Sequence, residues 1–198
     1  MNEQYHSKNG AIQEAYHVYI KNGLNVIDKE EISILEIGFG TGLNCFITYL
    51  DSGKKIDYVG VEAYPVNTNE VKQMNYVSEL KAESKKDVFN KIHTCDWEKK
   101  YVISDKFSLI KRKQFFSEIE DVNTFDLIYF DAFGPDKQPS LWTKEIFDKM
   151  YKALKINGVL VTYASKGDVK RAMRSAGFSL KRLDGPIGKW HMLRATKK

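Results

Sequence analysis

Apolar residues along the chain come in short continuous runs, separated by longer stretches in which they recur every three or four positions. That alternation predicts strands buried on both faces, laid between amphipathic helices. The first run, 32–37, leads into Gly38-Phe39-Gly40-Thr41-Gly42 and then an amphipathic segment, so a strand, a glycine turn and a helix over 42–52 are expected. A second strand is expected over 57–62, before Pro65 breaks the chain. Between 67 and 90, Val71, Met74, Val77, Leu80 and Val88 stand among many charges and predict two helices, with 81–86 as a solvated face. Two apolar pieces flank Ser104-Asp105-Lys106 and predict a hairpin over 99–111 that feeds the third strand of the sheet. The run 125–131 is a buried strand ending in an acid, followed by a helix over 143–154 and a strand over 159–163 entered through Asn157-Gly158. A basic helix over 165–176 with Gly177 as its cap, and an antiparallel pair over 178–183 and 189–195, complete the pattern. Ahead of the first strand, 1–27 is polar and aromatic, and 11–21 predicts a helix covering one sheet edge or the mouth of a ligand site.

The fold class implied is α/β, and 198 residues suffice for one domain with a sizeable core, taken as 1–198 with 1–27 as a lid or edge segment. Hydrophobic residues make up 42% and charged residues 29%, the balance of a soluble globular chain. No run is long and apolar enough to span a bilayer and no signal peptide opens the sequence, so a cytoplasmic protein without membrane contact is expected. Cys45 and Cys95 provide neither a disulfide framework nor a zinc spacing. His6 and His17 read as surface or packing residues, and no metal is expected. A net charge of +5 is compatible with an anionic partner without showing one.

The candidate chemistry lies at the ends of the apolar runs. Gly38, Gly40 and Gly42 let the backbone turn tightly and approach a ligand closely. Their spacing differs from the dinucleotide fingerprint, and Glu36 precedes them by two residues. A carboxylate there would repel a pyrophosphate but attract a cationic nucleoside such as S-adenosylmethionine (SAM). Glu62 closes the second run about 20 residues later, where an acid hydrogen-bonds ribose hydroxyls in sheets of this kind. Asp131 ends the strand 125–131, and ligands lie beyond the carboxyl ends of such strands. The loop 132–139, with Phe133 and two prolines, is too rigid and aromatic for a plain linker.

These pieces resemble class I SAM-dependent methyltransferases, and more narrowly the methyltransferase half of the bifunctional MnmC tRNA-modification enzymes, here standing alone. The matching residues are Tyr5-His6-Ser7 with Gly10 and Glu14, LEIGFGTGLN at 35–44, VEAYP at 61–65, YFDAFGPDKQPSLWTKEIF at 129–147, TYASKGDVKRAMRSAGF at 162–178 and GKWHM at 188–192. The resemblance implies a Rossmann-like, mostly parallel seven-stranded sheet with an antiparallel C-terminal hairpin and helices on both faces. It implies SAM-dependent methylation of the aminomethyl nitrogen of 5-aminomethyl(-2-thio)uridine at the tRNA wobble position, with no FAD. SAM would be held by Glu36, Gly38, Gly40, Gly42, Asn44, Glu62, Gln114 and Asp131. Lys113-Gln114 stands where the family tends to carry Gly-Asp, which leaves Gln114 to hydrogen-bond the adenine. Asp131 would orient the amine and accept its proton, or else cap its loop or bind the SAM amino group. Tyr5, Glu14, Phe133, Lys137 and Trp142 fall to the acceptor side, where Trp142 would stack on a base or pack in the core. Lys166, Lys170, Arg171 and Arg174, joined by Lys189, would form a phosphate-facing strip for the anticodon region of a tRNA, or a solvated helix face. A monomer is expected. A polyamine-synthase-like aminopropyltransferase and a non-catalytic RNA- or partner-binding module are the rival readings.

Overall fold

Residues 10–198 are described here from a computed structural model. The strands are β1 (Glu31–Ile37), β2 (Lys55–Val61), β3 (Lys100–Ser104), β4 (Phe107–Arg112), β5 (Phe125–Phe130), β6 (Leu154–Thr162), β7 (Ser179–Asp184) and β8 (His191–Thr196). They form one sheet in the order β3-β4-β2-β1-β5-β6-β8-β7. Pairing is parallel from β4 through β6 and antiparallel for β3 on β4 and for β8 on both β6 and β7. Seven of these strands match the expected set. The eighth, β3, is the outer arm of the hairpin predicted over 99–111.

Period-two alternation in β1 shows why the sheet is covered twice. Ile32 and Ile34 enter one cluster with Tyr58, Leu109 and Tyr129, while Leu35 and Ile37 enter another with Val61, Phe130 and Leu160. The first face is closed by α1 (Ala11–Ala15) with the π-helical turn Tyr16–Lys21, by α2 (Leu43–Asp51) and by helix Lys86–Thr94, through Val18, Tyr19, Phe46 and Ile92. The second is closed by helices Lys144–Ala153 and Gly167–Ser175, through Phe147, Met150, Val169 and Met173. The 11–21 segment is therefore built into the core at the pocket end of the sheet.

The two helices expected over 67–90 are broken into shorter pieces. These are α3 (Thr68–Lys72), α4 (Tyr76–Glu79) and a 3-10 turn, Glu83–Lys85, that leads into α5 (Lys86–Thr94). Asn67 starts α3 with a complete capping box to Glu70, and Lys81, at φ 52°, keeps α4 from running on into the 3-10 turn. Helices α6 (Lys144–Ala153) and α7 (Gly167–Ser175) fall where expected. Gly177, at φ 101°, ends α7 in a Schellman motif, in which Phe178 N–H donates to Met173 O and Gly177 N–H to Arg174 O.

At the end of the sheet away from the glycine turn, Asp126 is buried and accepts from Lys29 Nζ at 2.6 Å, Lys155 Nζ at 2.9 Å, and Ser33 N and Oγ at 3.0 and 2.7 Å. Burial alone would raise its pKa, but the hydrogen bonds from Lys155, Lys29 and Ser33 hold it well below the usual carboxylate range. The stability it contributes is present above the unfolded carboxylate pKa and is lost as pH falls toward the folded value. Both lysines are largely exposed, so solvent screening discounts the pairs. Asp126→Ala is expected to cost about 2 kcal/mol, read as a lower denaturant midpoint at neutral pH, with the difference shrinking in acid.

Candidate active site

Strands β1 and β5 lie side by side at the centre of the sheet, where the order reverses between β2 and β6. That switch point opens a crevice beyond the carboxyl ends of the strands. Asp131 N–H donates to Ile37 O at 2.8 Å and keeps the two strand tips together. Gly38, at φ 86°, follows immediately, and a Cβ there would lie 2.6 Å from Asp131 O. Glu62 closes the turn from the neighbouring strand, accepting from Gly40 N at 3.0 Å and from Tyr64 N at 3.0 Å. Its carboxylate is thus fixed by backbone donors, with lone pairs left for hydroxyl groups.

Three acids surround Asn44 and the turn. Asn44, on the first turn of α2, donates through Nδ2 to Glu36 Oε1 at 2.9 Å and to Asp131 Oδ2 at 2.8 Å. Glu36 is buried and also accepts from the Tyr58 hydroxyl at 2.9 Å. Burial holds the Glu36 carboxyl well above the usual range, against the lowering by Asn44 and Tyr58. Burial also pushes the Asp131 carboxyl up to about 6, opposed by Tyr19, Asn44 and Lys189 and reinforced by Glu14. The Tyr19 hydroxyl stands beside Asp131, is buried, and lacks a hydrogen bond of normal geometry.

The crevice encloses about 590 Å³. Its floor is Gly38, Phe39, Gly40 and Asn44. One wall carries Glu62, Tyr64 and Phe115, and the other carries Asp131, Phe133, Lys137 and Tyr163. Tyr64 and Phe115 meet edge to face at 6.1 Å between ring centroids. Across the mouth, Lys189 Nζ pairs with Glu14 and lies 3.8 Å from the centre of the Tyr163 ring. The Tyr163 hydroxyl donates to Ala132 O at 2.8 Å and braces the loop after β5.

The structure brings together Gly38, Gly40, Asn44, Glu62, Asp131, Glu14, Phe133, Lys137 and Lys189. The other candidates stand elsewhere, and for Glu36, Gly42 and Gln114 the expectation is corrected. Glu36 lies beneath the floor with both oxygens turned inward, so it holds Asn44 rather than lining the cavity. Gly42, at φ 69°, precedes α2, and a Cβ there would meet His93 Cε1 at 3.2 Å, so its role is in the turn. Gln114 does not line the crevice, where Phe115 and Phe116 stand instead. Trp142 is buried against Phe130 and Phe147, and its indole N–H donates to Phe133 O at 2.8 Å. It therefore props the loop and has no face for a base. Lys166 and Arg171 stand on the outer surface, paired with Asp136 and Asp168. Tyr5 lies outside the described residues. The sequence reading missed Tyr19, Thr41, Tyr64, Phe115 and Tyr163 as lining residues. The rule that singled out Asp131 also reaches Tyr163, the residue after β6.

A family model described as S-adenosyl-L-methionine-dependent methyltransferase matches residues 61–198. The chain belongs to this family. Its relatives include the bifunctional protein MnmC of tRNA 5-methylaminomethyl-2-thiouridine biosynthesis from Campylobacter fetus, 30% identical over 97% of this chain and 32% of that protein. The same protein from Burkholderia multivorans is 28% identical over 96% of this chain and 31% of its own length. The chain thus spans about a third of the curated relatives it matches. Among solved structures, MnmC2 from Aquifex aeolicus superposes with a TM-score of 0.72 at 22% identity, covering 99% of this chain and 64% of that one. A spermidine synthase superposes with a TM-score of 0.51 at 18% identity, covering 84% of this chain and 55% of that one. Both likenesses show the fold.

The residues present fit SAM. The cavity lies within the roughly 300–1,000 Å³ usual for ligand sites. Gly38 leaves no room for a side chain, Glu62 offers a fixed carboxylate, and Asp131 and Glu62 face a space suited to a cation. Among the described residues, no helix is long and apolar enough to cross a membrane.

Proposed function

We propose that this chain methylates the aminomethyl nitrogen of 5-aminomethyl(-2-thio)uridine at the wobble position of tRNA. The observation that carries the reading is Asp131, which lines the crevice together with the fixed carboxylate of Glu62 and the cations Lys137 and Lys189. The MnmC relatives, named for tRNA 5-methylaminomethyl-2-thiouridine biosynthesis, supply the acceptor. Bound SAM would supply an electrophilic methyl group, the amine lone pair forming the N–C bond while the S–C electron pair stays with sulfur. The amine must arrive neutral or lose a proton, and Asp131, with a pKa of about 6, is ionised at neutral pH and within the range of a working base. Asn44 fixes one Asp131 oxygen and leaves the other for the amine. Glu62 would hold the ribose hydroxyls of SAM, and Tyr64 and Phe115 would give its adenine an aromatic wall. Phe133, Glu14 and Lys189 border the acceptor. Lys166, just ahead of α7, and Arg171 and Arg174 within it are exposed, with Lys170 half-buried. They offer phosphate contacts to the anticodon arm, Lys166 and Arg171 exchanging their surface partners Asp136 and Asp168 for phosphate. Such a substrate places the reaction in the cytoplasm, with the chain acting as a monomer.

The test is incubation of the protein and SAM with tRNA from cells lacking this methylation, followed by nucleoside mass spectrometry. One added methyl on aminomethyluridine is expected, and tRNA returned unchanged overturns the reading. The aminopropyltransferase reading is disfavoured because a polycationic acceptor would meet Lys137 and Lys189 at the crevice, with Glu14 already tied to Lys189. A larger thermal shift with decarboxylated SAM than with SAM would reverse that preference.

A further inference from the structure

The turn between β7 and β8 places two neighbouring residues in opposite settings. Gly185 N–H donates to Trp190 O at 3.1 Å and Lys189 N–H to Pro186 O at 2.9 Å, so the backbone is closed on itself. Gly185 has no room for a side chain, since a Cβ would lie 2.2 Å from Lys189 O, and Gly188 takes φ 87°. On this fixed turn Lys189 reaches into the crevice, while Trp190 is 92% exposed and Ile187 81% exposed. A single exposed apolar side chain carries little weight. The distribution carries more: the exposed aromatic residues among those described are Tyr64, Phe115, Phe133 and Trp190. The first three line the crevice and the fourth follows a residue that does.

We propose that the turn at 185–190 is a stacking platform for a nucleotide flanking the modified base, with Trp190 as the ring that receives it. The inference rests on the tRNA reading above. A uridine whose base enters the crevice leaves its neighbours unstacked, and splayed bases in RNA are taken up on aromatic faces. Trp190 offers an open π face one residue from Lys189. The exposed cations Lys181 and Arg182 on β7 precede the turn, and the chain carries a net charge of +5, which suits a phosphate-bearing partner.

The test combines fluorescence and kinetics on the intact protein. Trp142 is buried and Trp97 partly so, which leaves Trp190 as the exposed emitter. An anticodon stem-loop RNA is expected to quench the wild-type emission, and Trp190→Phe is expected to abolish the quenching. Trp190→Ala is expected to raise KM for tRNA about tenfold, as loss of one stacked base predicts, with SAM affinity and melting temperature unaltered. Trp190→Phe, which keeps a ring, should recover most of that loss. Wild-type emission indifferent to the RNA, or an unchanged KM in Trp190→Ala, overturns the platform. If the wild-type protein transfers no methyl to tRNA, the functional reading fails, and quenching alone then decides the platform.

Discussion

Asp131→Asn is expected to abolish methyl transfer while making the folded protein more stable at neutral pH. The Asp131 carboxyl is raised to about 6 in the folded chain, above the usual value near 4. A group raised in this way contributes stability that is present below its unfolded pKa and is lost as pH rises through the folded value. At neutral pH the wild type therefore carries an ionised, partly buried carboxylate at a cost of up to about 3 kcal/mol, from roughly two pKa units at 1.36 kcal/mol each. Asparagine keeps the shape without the charge. Its variant should melt higher at pH 7, with the gap closing between pH 6 and pH 4. Loss of a proton acceptor should slow transfer about 100- to 10,000-fold. Wild-type kcat/KM should fall as pH drops through about 6, because the unprotonated form is the active one. Melting curves and single-turnover rates across this range check both halves. An asparagine variant with wild-type rates would remove Asp131 from the chemistry.

Gly38→Ala should be the most damaging change at a glycine of the turn. The new methyl would stand 2.6 Å from Asp131 O at φ 86°. The left-handed backbone alone costs roughly 1–2 kcal/mol for an L-residue. The clash adds to this, because backbone lies on both sides and neither can turn aside. The tips of β1 and β5 must separate, which carries Asp131 away from Asn44. SAM binding by calorimetry and methyl transfer should both fall more than about tenfold, an effect of at least 1.4 kcal/mol, and the melting temperature should drop by several degrees. Gly53→Ala is the control, since nothing lies within 4 Å of its Cβ position. A Gly38→Ala protein that binds SAM normally would contradict the close approach described.

Strand positions were legible because 32–37 and 125–131 are apolar through their length, and such runs are buried wherever the chain goes. The glycines and strand-end acids were legible for the same reason, since strand tips locate a crevice before any coordinate is known. Contacts between distant residues were not. Glu36 has the composition of a ligand, and only the approach of Tyr58 and Asn44 shows that its carboxylate is spent on neighbours. Trp142 suits a base stack and a core position equally, and only Phe130, Phe147 and the Phe133 carbonyl decide for packing. Tyr19 sits in a helical segment whose packing partners lie more than a hundred residues away, at Tyr129 and Asp131. The pieces over 67–90 escaped periodicity because capping at Asn67 and the positive φ of Lys81 act on single residues.

The last strand, β8, lies between its two predecessors, pairing with β6 on one side and β7 on the other. During translation β6 therefore emerges with a bare edge, and β7 must wait for β8, the strand that follows it out of the ribosome. Until β8 arrives, β6 and β7 both present unsatisfied backbone. Lys189 lies on the turn between β7 and β8, so the finished mouth of the cavity waits on the same pairing.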